Sequence, residues 1–324
     1  MLTRSIWREP VTALVTGGAG FIGSHVVDAL IARGARVVVV DDLSTGRYEN
    51  VASALEVGAT LHQLDIVDGP ALRDLFVRER PELVFHLAAQ IDVRRSVDDP
   101  AADARTNVEG TVNVLSAAQM SGVRRLVYSA TGGAVYGDAE QVPTPEDAKA
   151  RPMSPYGQAK LAAEGYCAMF RRLHGLSTIA LRYANVYGPR QDPLGEGGVI
   201  AIFCGRFAAG TAPLIYGDGS QTRDYVYVGD VVEANLLAAD SDVCGEVNVG
   251  TGIETSVLEL AGAFGALDAA RPFVPEHAPE RPGEVLRSCL DAARARAELG
   301  WRPRTDLAGG LRQTLAELDA APRP

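Results

Sequence analysis

Tyr156 and Lys160 stand four residues apart in the run Ser-Pro-Tyr-Gly-Gln-Ala-Lys, 154–160. Ser154 suits a helix N-cap and Pro155 the first helical position, so the run predicts that Tyr156 opens a helix. Four residues make about one turn, which sets the phenol and the ammonium on one face. An ammonium beside a phenol favours the phenolate, lowering a pKa of about 10 in a free peptide. Such a tyrosine can take up a proton at neutral pH. A solvated helix face carries the same pair, so its meaning rests on what accompanies it.

A second group of residues suits a dinucleotide. Thr16-Gly-Gly-Ala-Gly-Phe-Ile-Gly23 follows an apolar run and opens a helical one, with Gly17, Gly20 and Gly23 spaced GxxGxxG around Phe21 and Ile22. Glycines there let the backbone turn tightly and approach a pyrophosphate at the helix N-terminus. The next apolar run ends in Asp41-Asp42, about 20 residues on, where a carboxylate can accept from both ribose hydroxyls. It would repel a 2′-phosphate, and no arginine immediately follows, so NAD is favoured over NADP. Asp65-Ile66 is placed to flank the adenine, and Leu87-Ala88-Ala89 permits a close approach to the cofactor. Thr131 follows the apolar run 126–129, where its hydroxyl could bond a substrate oxygen that Tyr156 also addresses.

The elements that must position these residues alternate. Strands are predicted at Ala13–Thr16, Arg36–Val40, Thr60–Gln63, Leu83–His86, Leu126–Ser129 and Thr178–Leu181. Helices are predicted near Phe21–Arg33, Ala71–Arg80, Thr106–Ser121 and Tyr156–His174. Strands this apolar imply a sheet covered on both faces, so the expected fold is α/β, a Rossmann-type doubly wound parallel sheet. Beyond Leu181, Pro and Gly accumulate and the regularity breaks, as in a smaller C-terminal substrate-binding lobe. We therefore expect an NAD-binding domain over 11–182 with return segments near 222–250. Residues 183–221 and 251–324 would form the lobe, and residues 1–10 a mobile leader. The stretches Tyr225–Val232 and Val247–Val249 read as the chain rejoining the large sheet.

Composition narrows the partners. A net charge of −10 without a dense basic run argues against nucleic acid and anionic membranes. No apolar stretch approaches a membrane span. Cys167, Cys204, Cys244 and Cys289 are scattered, and the five histidines form no pair at helical spacing, so reduced cytosolic thiols are expected and no metal site.

With the glycine loop, Asp41, Thr131 and the Tyr156–Lys160 pair in this order, the chain resembles the extended short-chain dehydrogenase/reductases, and among them the nucleotide-sugar 4-epimerases, from Val11 to Thr314. The resemblance implies that Thr131, Tyr156 and Lys160 are the catalytic set and that Asn107 is a structural and active-site asparagine. It places Asn185, in Leu181-Arg-Tyr-Ala-Asn-Val-Tyr-Gly-Pro-Arg190, on a diphosphate and Val199 near a uracil. Arg223 and Arg281 would answer the diphosphate charge, and Glu284, where many relatives have Asp, would face the uridine ribose. Ser288 is small where some epimerases carry an aromatic, which would leave room for a 2-acetamido group.

The implied activity is reversible inversion at C4 of a UDP-hexose, UDP-glucose to UDP-galactose, with NAD as a retained prosthetic group. UDP-N-acetylglucosamine is a further substrate in this reading. UDP-glucuronate 4-epimerisation stays open as an alternative, as does a non-catalytic NAD or nucleotide-sugar sensor. Dehydratase and decarboxylase relatives place an acid just after the threonine, where this chain has Gly132-Gly133-Ala134. A homodimer is expected by analogy, through the 106–121 and 156–174 helices.

Overall fold

The computed structural model describes residues 11–192, 198–268, 270–280 and 285–320. Their dominant feature is a seven-stranded sheet. Its strands are β1 (Thr12–Thr16), β2 (Arg36–Asp41), β3 (Thr60–Gln63), β4 (Leu83–His86), β5 (Arg125–Thr131), β6 (Ser177–Tyr183) and β7 (Gly245–Val249). They lie in the order β7-β6-β5-β4-β1-β2-β3. The β1–β2, β1–β4, β2–β3 and β4–β5 pairs are parallel, with Ala13 opposite both Val37 and Leu83. The chain reverses its direction of travel across the sheet between β1 and β4. That is the switch point at which doubly wound sheets bind ligands at the strand C-termini. The four central valines of β2 are wholly buried, as a sheet covered on both faces demands.

The described residues divide into two compact units. The first takes those within Met1–Val135, Pro152–Arg182 and Val232–Val247; the second takes those within Tyr136–Arg151, Tyr183–Val231 and Asn248–Pro324. The first unit's core joins Leu14, Val38, Val84, Leu126 and Tyr128 of the sheet to Leu72, Phe76, Leu115 and Ala163 of the helices. Arg125 is a buried exception. Its guanidinium donates to the Ala238 and Val243 carbonyls and to the Ser177 and Ser241 hydroxyls, bracing the starts of β5 and β6. The second unit has its own core, in which Phe203, Phe207, Phe264 and Phe273 stack edge-on or tilted with centroids 5.3–5.9 Å apart.

Local chemistry sets the helices that matter for the site. Ser154 caps the Pro155–His174 helix by accepting from the Gly157 N–H at 3.1 Å, and Gly175 ends it at φ 71°. The Phe21–Ala32 helix has no side-chain cap at its N-terminus. The helix expected at 106–121 starts earlier, at Pro100, because Asp99 accepts from the Ala102 N–H and Pro100 takes the first position. It runs through a π-helical turn at Arg105–Glu109 into Gly110–Met120.

The expected return strand Tyr225–Val232 is corrected. Only Tyr225–Tyr227 is extended, and it pairs in parallel with Asn185–Tyr187 in a separate two-stranded sheet. Val228–Ala239 is helical despite its β-branched residues. Asp230 explains the override: its carboxylate accepts from the Arg304 and Thr305 N–H groups, and its carbonyl accepts from Nε1 of the wholly buried Trp301 at 2.8 Å. Of the two stretches read as rejoining the large sheet, Val247–Val249 does so, within β7.

Candidate active site

The glycine loop leaves β1 at Gly17, whose N–H donates to the Val40 carbonyl at 2.8 Å. Its φ of 67° is left-handed, and a Cβ there would lie 2.6 Å from the Ala88 nitrogen. Gly23 is equally constrained, since a Cβ would collide with the Gly17 carbonyl oxygen. Gly20 is different. Among the described residues, a Cβ on it would meet only the Gly17 oxygen, at 3.2 Å. The bare position therefore opens onto free space beside an uncapped helix N-terminus, with Phe21 and Ile22 half-buried in the first turn. That is the cradle a pyrophosphate needs.

Asp41 closes the other side of this loop. Its Oδ2 accepts from the Ala19 N–H and its Oδ1 from the Leu43 N–H, each at 2.9 Å. Burial raises its pKa while these N–H groups pull it back down. Asp42 is exposed and accepts from Ser44. Asp65 is exposed and accepts from the Val67 N–H at 2.9 Å. The Ile66 side chain packs into the core, against the bare face of Gly110. Leu87, Ala88 and Ala89 are half-buried. The Leu87 N–H donates to the Thr16 carbonyl at 3.0 Å and the Ala88 N–H to the Thr16 hydroxyl at 3.3 Å.

Tyr156, Lys160 and Thr131 gather where β5 ends. Thr131 is the last residue of that strand, and Lys160 Nζ donates to the Ser129 carbonyl two residues earlier, at 2.9 Å. The ammonium also lies 5.1 Å from the centroid of the Tyr128 ring. Burial pulls the Lys160 pKa down to about 8, against the opposing charges of Asp103 and Glu164. Ser96, missed in the sequence, anchors the helix start by accepting the Tyr156 N–H at 3.2 Å.

The electrostatics correct one expectation. Part of the Tyr156 side chain stays open to solvent, yet enough protein surrounds its hydroxyl that lost hydration pushes the pKa up to about 12. The Asp103 charge adds to the rise, and hydrogen bonding from Thr131 opposes it. Burial outweighs what lowers it, while the Lys160 ammonium sits against the Ser129 carbonyl and the Tyr128 ring.

Behind this pair runs a buried polar chain that the sequence reading did not find. Asn107, in the π turn, accepts the Gln90 N–H on Oδ1 and donates from Nδ2 to the Gln90 carbonyl and to Asp103 Oδ1, all at 2.9 Å. Its carbonyl accepts from the Thr111 hydroxyl at 2.7 Å. Thr111 must then accept from His86 Nε2, 2.9 Å away, which leaves His86 Nδ1 to accept from Thr16 Oγ1 at 2.7 Å. Burial drops the His86 pKa to about 3, so the ring is neutral. The cofactor loop, the end of β4 and the π turn are thereby tied by hydrogen bonds of fixed direction. The nearest sequence signal was Asn107, which the family resemblance alone marked.

In the second unit, Arg223 and Ser288 are cross-strand neighbours in a parallel pair, Thr222–Arg223 against Arg287–Ser288. The Asn185 N–H donates to the Asp224 carbonyl at 2.8 Å, one residue past Arg223. Asp224, also missed, is the buried hub. Its carboxylate accepts from the Thr251 N–H and hydroxyl and from the Gly252 and Leu290 N–H groups. Val199 opens the Val199–Ala209 helix and packs against the phenylalanine core. Arg281 and Glu284 lie outside the described residues.

The profile of the NAD dependent epimerase/dehydratase family matches residues 13–250. The chain belongs to this family. It is similar to the UDP-glucose 4-epimerase of Mycolicibacterium smegmatis, 50% identical over 308 residues that cover 93% of this chain and 96% of that one. Among solved structures it is similar to UDP-glucose 4-epimerase of Thermotoga maritima with UDP-glucose, at TM-score 0.92 and 46% identity, covering 96% of this chain and 99% of that one. It is also similar to the Thermus thermophilus UDP-glucose 4-epimerase in complex with NAD, at TM-score 0.89 and 42% identity, covering 96% and 100%. The open Gly20 cradle and the Asp41 carboxylate beside it fit the NAD on which the family depends.

Proposed function

We propose that the protein interconverts UDP-glucose and UDP-galactose by reversible inversion at C4. The observation that carries this reading is the convergence of Thr131, Tyr156 and Lys160 at the end of β5, in the unit that holds the dinucleotide loop. Bound NAD supplies reversible hydride acceptance at C4, so the sugar passes through a transient 4-keto form and the cofactor ends unchanged. In the loaded site Tyr156, as phenolate, takes the proton of the 4-hydroxyl on Oη and later returns it. Thr131 holds O4 and relays that proton. Lys160, fixed on the Ser129 carbonyl, keeps a positive charge beside the reacting oxygens. Asn185, Arg223, Arg281, Glu284 and Ser288 are read as the nucleotide-sugar residues, with Val199 toward the uracil.

Elimination of water is not favoured, because the short helix Gly132–Val135 after Thr131 carries no carboxylate. The small Ser288 extends the reading to UDP-N-acetylglucosamine. We read the protein as a cytosolic homodimer; Met120, Tyr166 and Leu173 are exposed apolar residues on the two helices expected to pair, and sedimentation velocity tests the dimer. No helix among the described residues is long and apolar enough to cross a membrane.

The test is incubation of the purified protein with UDP-glucose, UDP-N-acetylglucosamine and UDP-glucuronate, following each epimer by NMR without added reductant. UDP-galactose should accumulate to equilibrium from UDP-glucose. No epimer from any of the three, with NAD bound, would sink the reading. Tyr156→Phe should lower turnover by about 10²- to 10⁴-fold while NAD stays bound. A cellular role that survives that change would point to a sensor.

A further inference from the structure

Asp103 is an acid that the reaction as drawn does not use. It is 1% exposed. Its Oδ1 accepts from Asn107 Nδ2 and Gln90 Nε2, each at 2.9 Å. Its Oδ2 is buried with no hydrogen-bond partner, a costly state for half of a carboxylate and one that calls for a reason. The Pro100–Ala104 helix that carries Asp103 packs against the Pro155–His174 helix that carries Tyr156 and Lys160. Two amides hold the carboxylate in place, so its charge is fixed relative to that helix.

We infer that Asp103 is a positioning residue, the buried counter-charge that keeps Lys160 an ammonium and Tyr156 a phenol until the site is loaded. The inference rests on reading Tyr156 as the proton acceptor. Among the other groups around the pair, Glu164 also favours the ammonium, but less than Asp103 does. Glu164, on the same helix as Lys160, is committed to Arg182 through bonds of 2.9 and 2.7 Å. Cys167 is held as a thiol by burial, and Tyr128 as a phenol. His86 is neutral. Asp103 is the second-largest influence on both Lys160 and Tyr156, after burial, and it raises both pKa values.

The chain contains two lysines, Lys149 and Lys160. In a Lys149→Arg background, ¹³Cε-lysine labelling therefore gives a single side-chain signal, that of Lys160. Titrated in the protein as purified with its bound NAD, that signal should move to lower pH by about one unit in Asp103→Asn. Asp103→Glu, which keeps the charge, should stay close to the parent. The pH–kcat profile of Asp103→Asn should move to lower pH on both limbs, because removing the carboxylate eases loss of either proton. Should the amide variant not fold, Asp103→Ser removes the same charge. A Lys160 midpoint identical in the parent and the uncharged variant overturns the inference, whatever happens to turnover. The titration needs no turnover. A shifted midpoint in a protein that epimerises none of the sugars upholds Asp103 and overturns only the proposed reaction.

Discussion

Lys160 is an expensive residue to keep. Its ammonium is almost wholly buried, and protonating it is harder than in water by the gap between 10.5 and about 8. At about 1.4 kcal/mol per pH unit, that gap corresponds to roughly 3 kcal/mol of unfavourable burial at neutral pH. Lys160→Met should therefore abolish epimerisation and stabilise the fold by about 1 kcal/mol or more, after the lost bond to the Ser129 carbonyl is subtracted. Urea unfolding of the variant reads the sign, and a lower midpoint than the parent's refutes it. Tyr156, Lys160 and Thr131 were legible as a group only in company with the glycine loop and Asp41, since their type and spacing alone also suit a solvated helix face and a turn. The direction of the phenol's pKa was not, because it depends on how closely the folded protein surrounds the hydroxyl. Asp103, Gln90 and His86 were silent because the bonds that join them form only in the fold: Gln90 reaches Asp103 across 13 residues and Thr16 reaches His86 across 70.

Among the elements, the glycine loop separates two demands that a motif merges. Gly23 is needed by the protein, since any side chain there collides with the Gly17 carbonyl, whereas a Cβ on Gly20 meets that oxygen only at 3.2 Å. Gly20→Ala should lower the melting temperature by less than Gly23→Ala does, since its methyl presses on one carbonyl oxygen at 3.2 Å and on nothing else among the described residues. It should also weaken NAD binding at least about tenfold, by setting a methyl where the pyrophosphate approaches. Gly23→Ala should lower both. Isothermal titration with NAD, alongside calorimetric melting, distinguishes the two; equal effects of both variants on melting would refute the assignment. Strands β1 to β6 and the capped helices were readable because period and caps agree with the fold. The helix at Val228–Ala239 was not, because Asp230 and Trp301 override a β-branched run from some 70 residues away.

For the molecule as a whole, acidity is the stress to examine. His86 takes a proton near pH 6.5 when unfolded and only near 3 when folded. Between those values the unfolded chain binds one more proton, so stability falls as the pH drops from about 6.5 toward 3. This one group contributes about 1.4 kcal/mol per pH unit in that window. Asp41, Glu164 and Asp224, raised by burial, act the other way in their own range. His86→Gln should flatten the loss of stability between pH 6.5 and 5, measured by urea unfolding at each pH, and an unchanged slope would contradict the neutral, buried ring.

One further property follows from the indole that overrides the 228–239 stretch. The chain has two tryptophans, Trp7 and Trp301. Trp301 is shut away from solvent and bonded to Asp230, and both lie in the second unit. With Trp7→Phe, and excitation at a wavelength that tryptophan absorbs and tyrosine does not, emission originates in the second unit alone. A red shift on denaturation then times the loss of that unit, independently of anything happening around the dinucleotide loop.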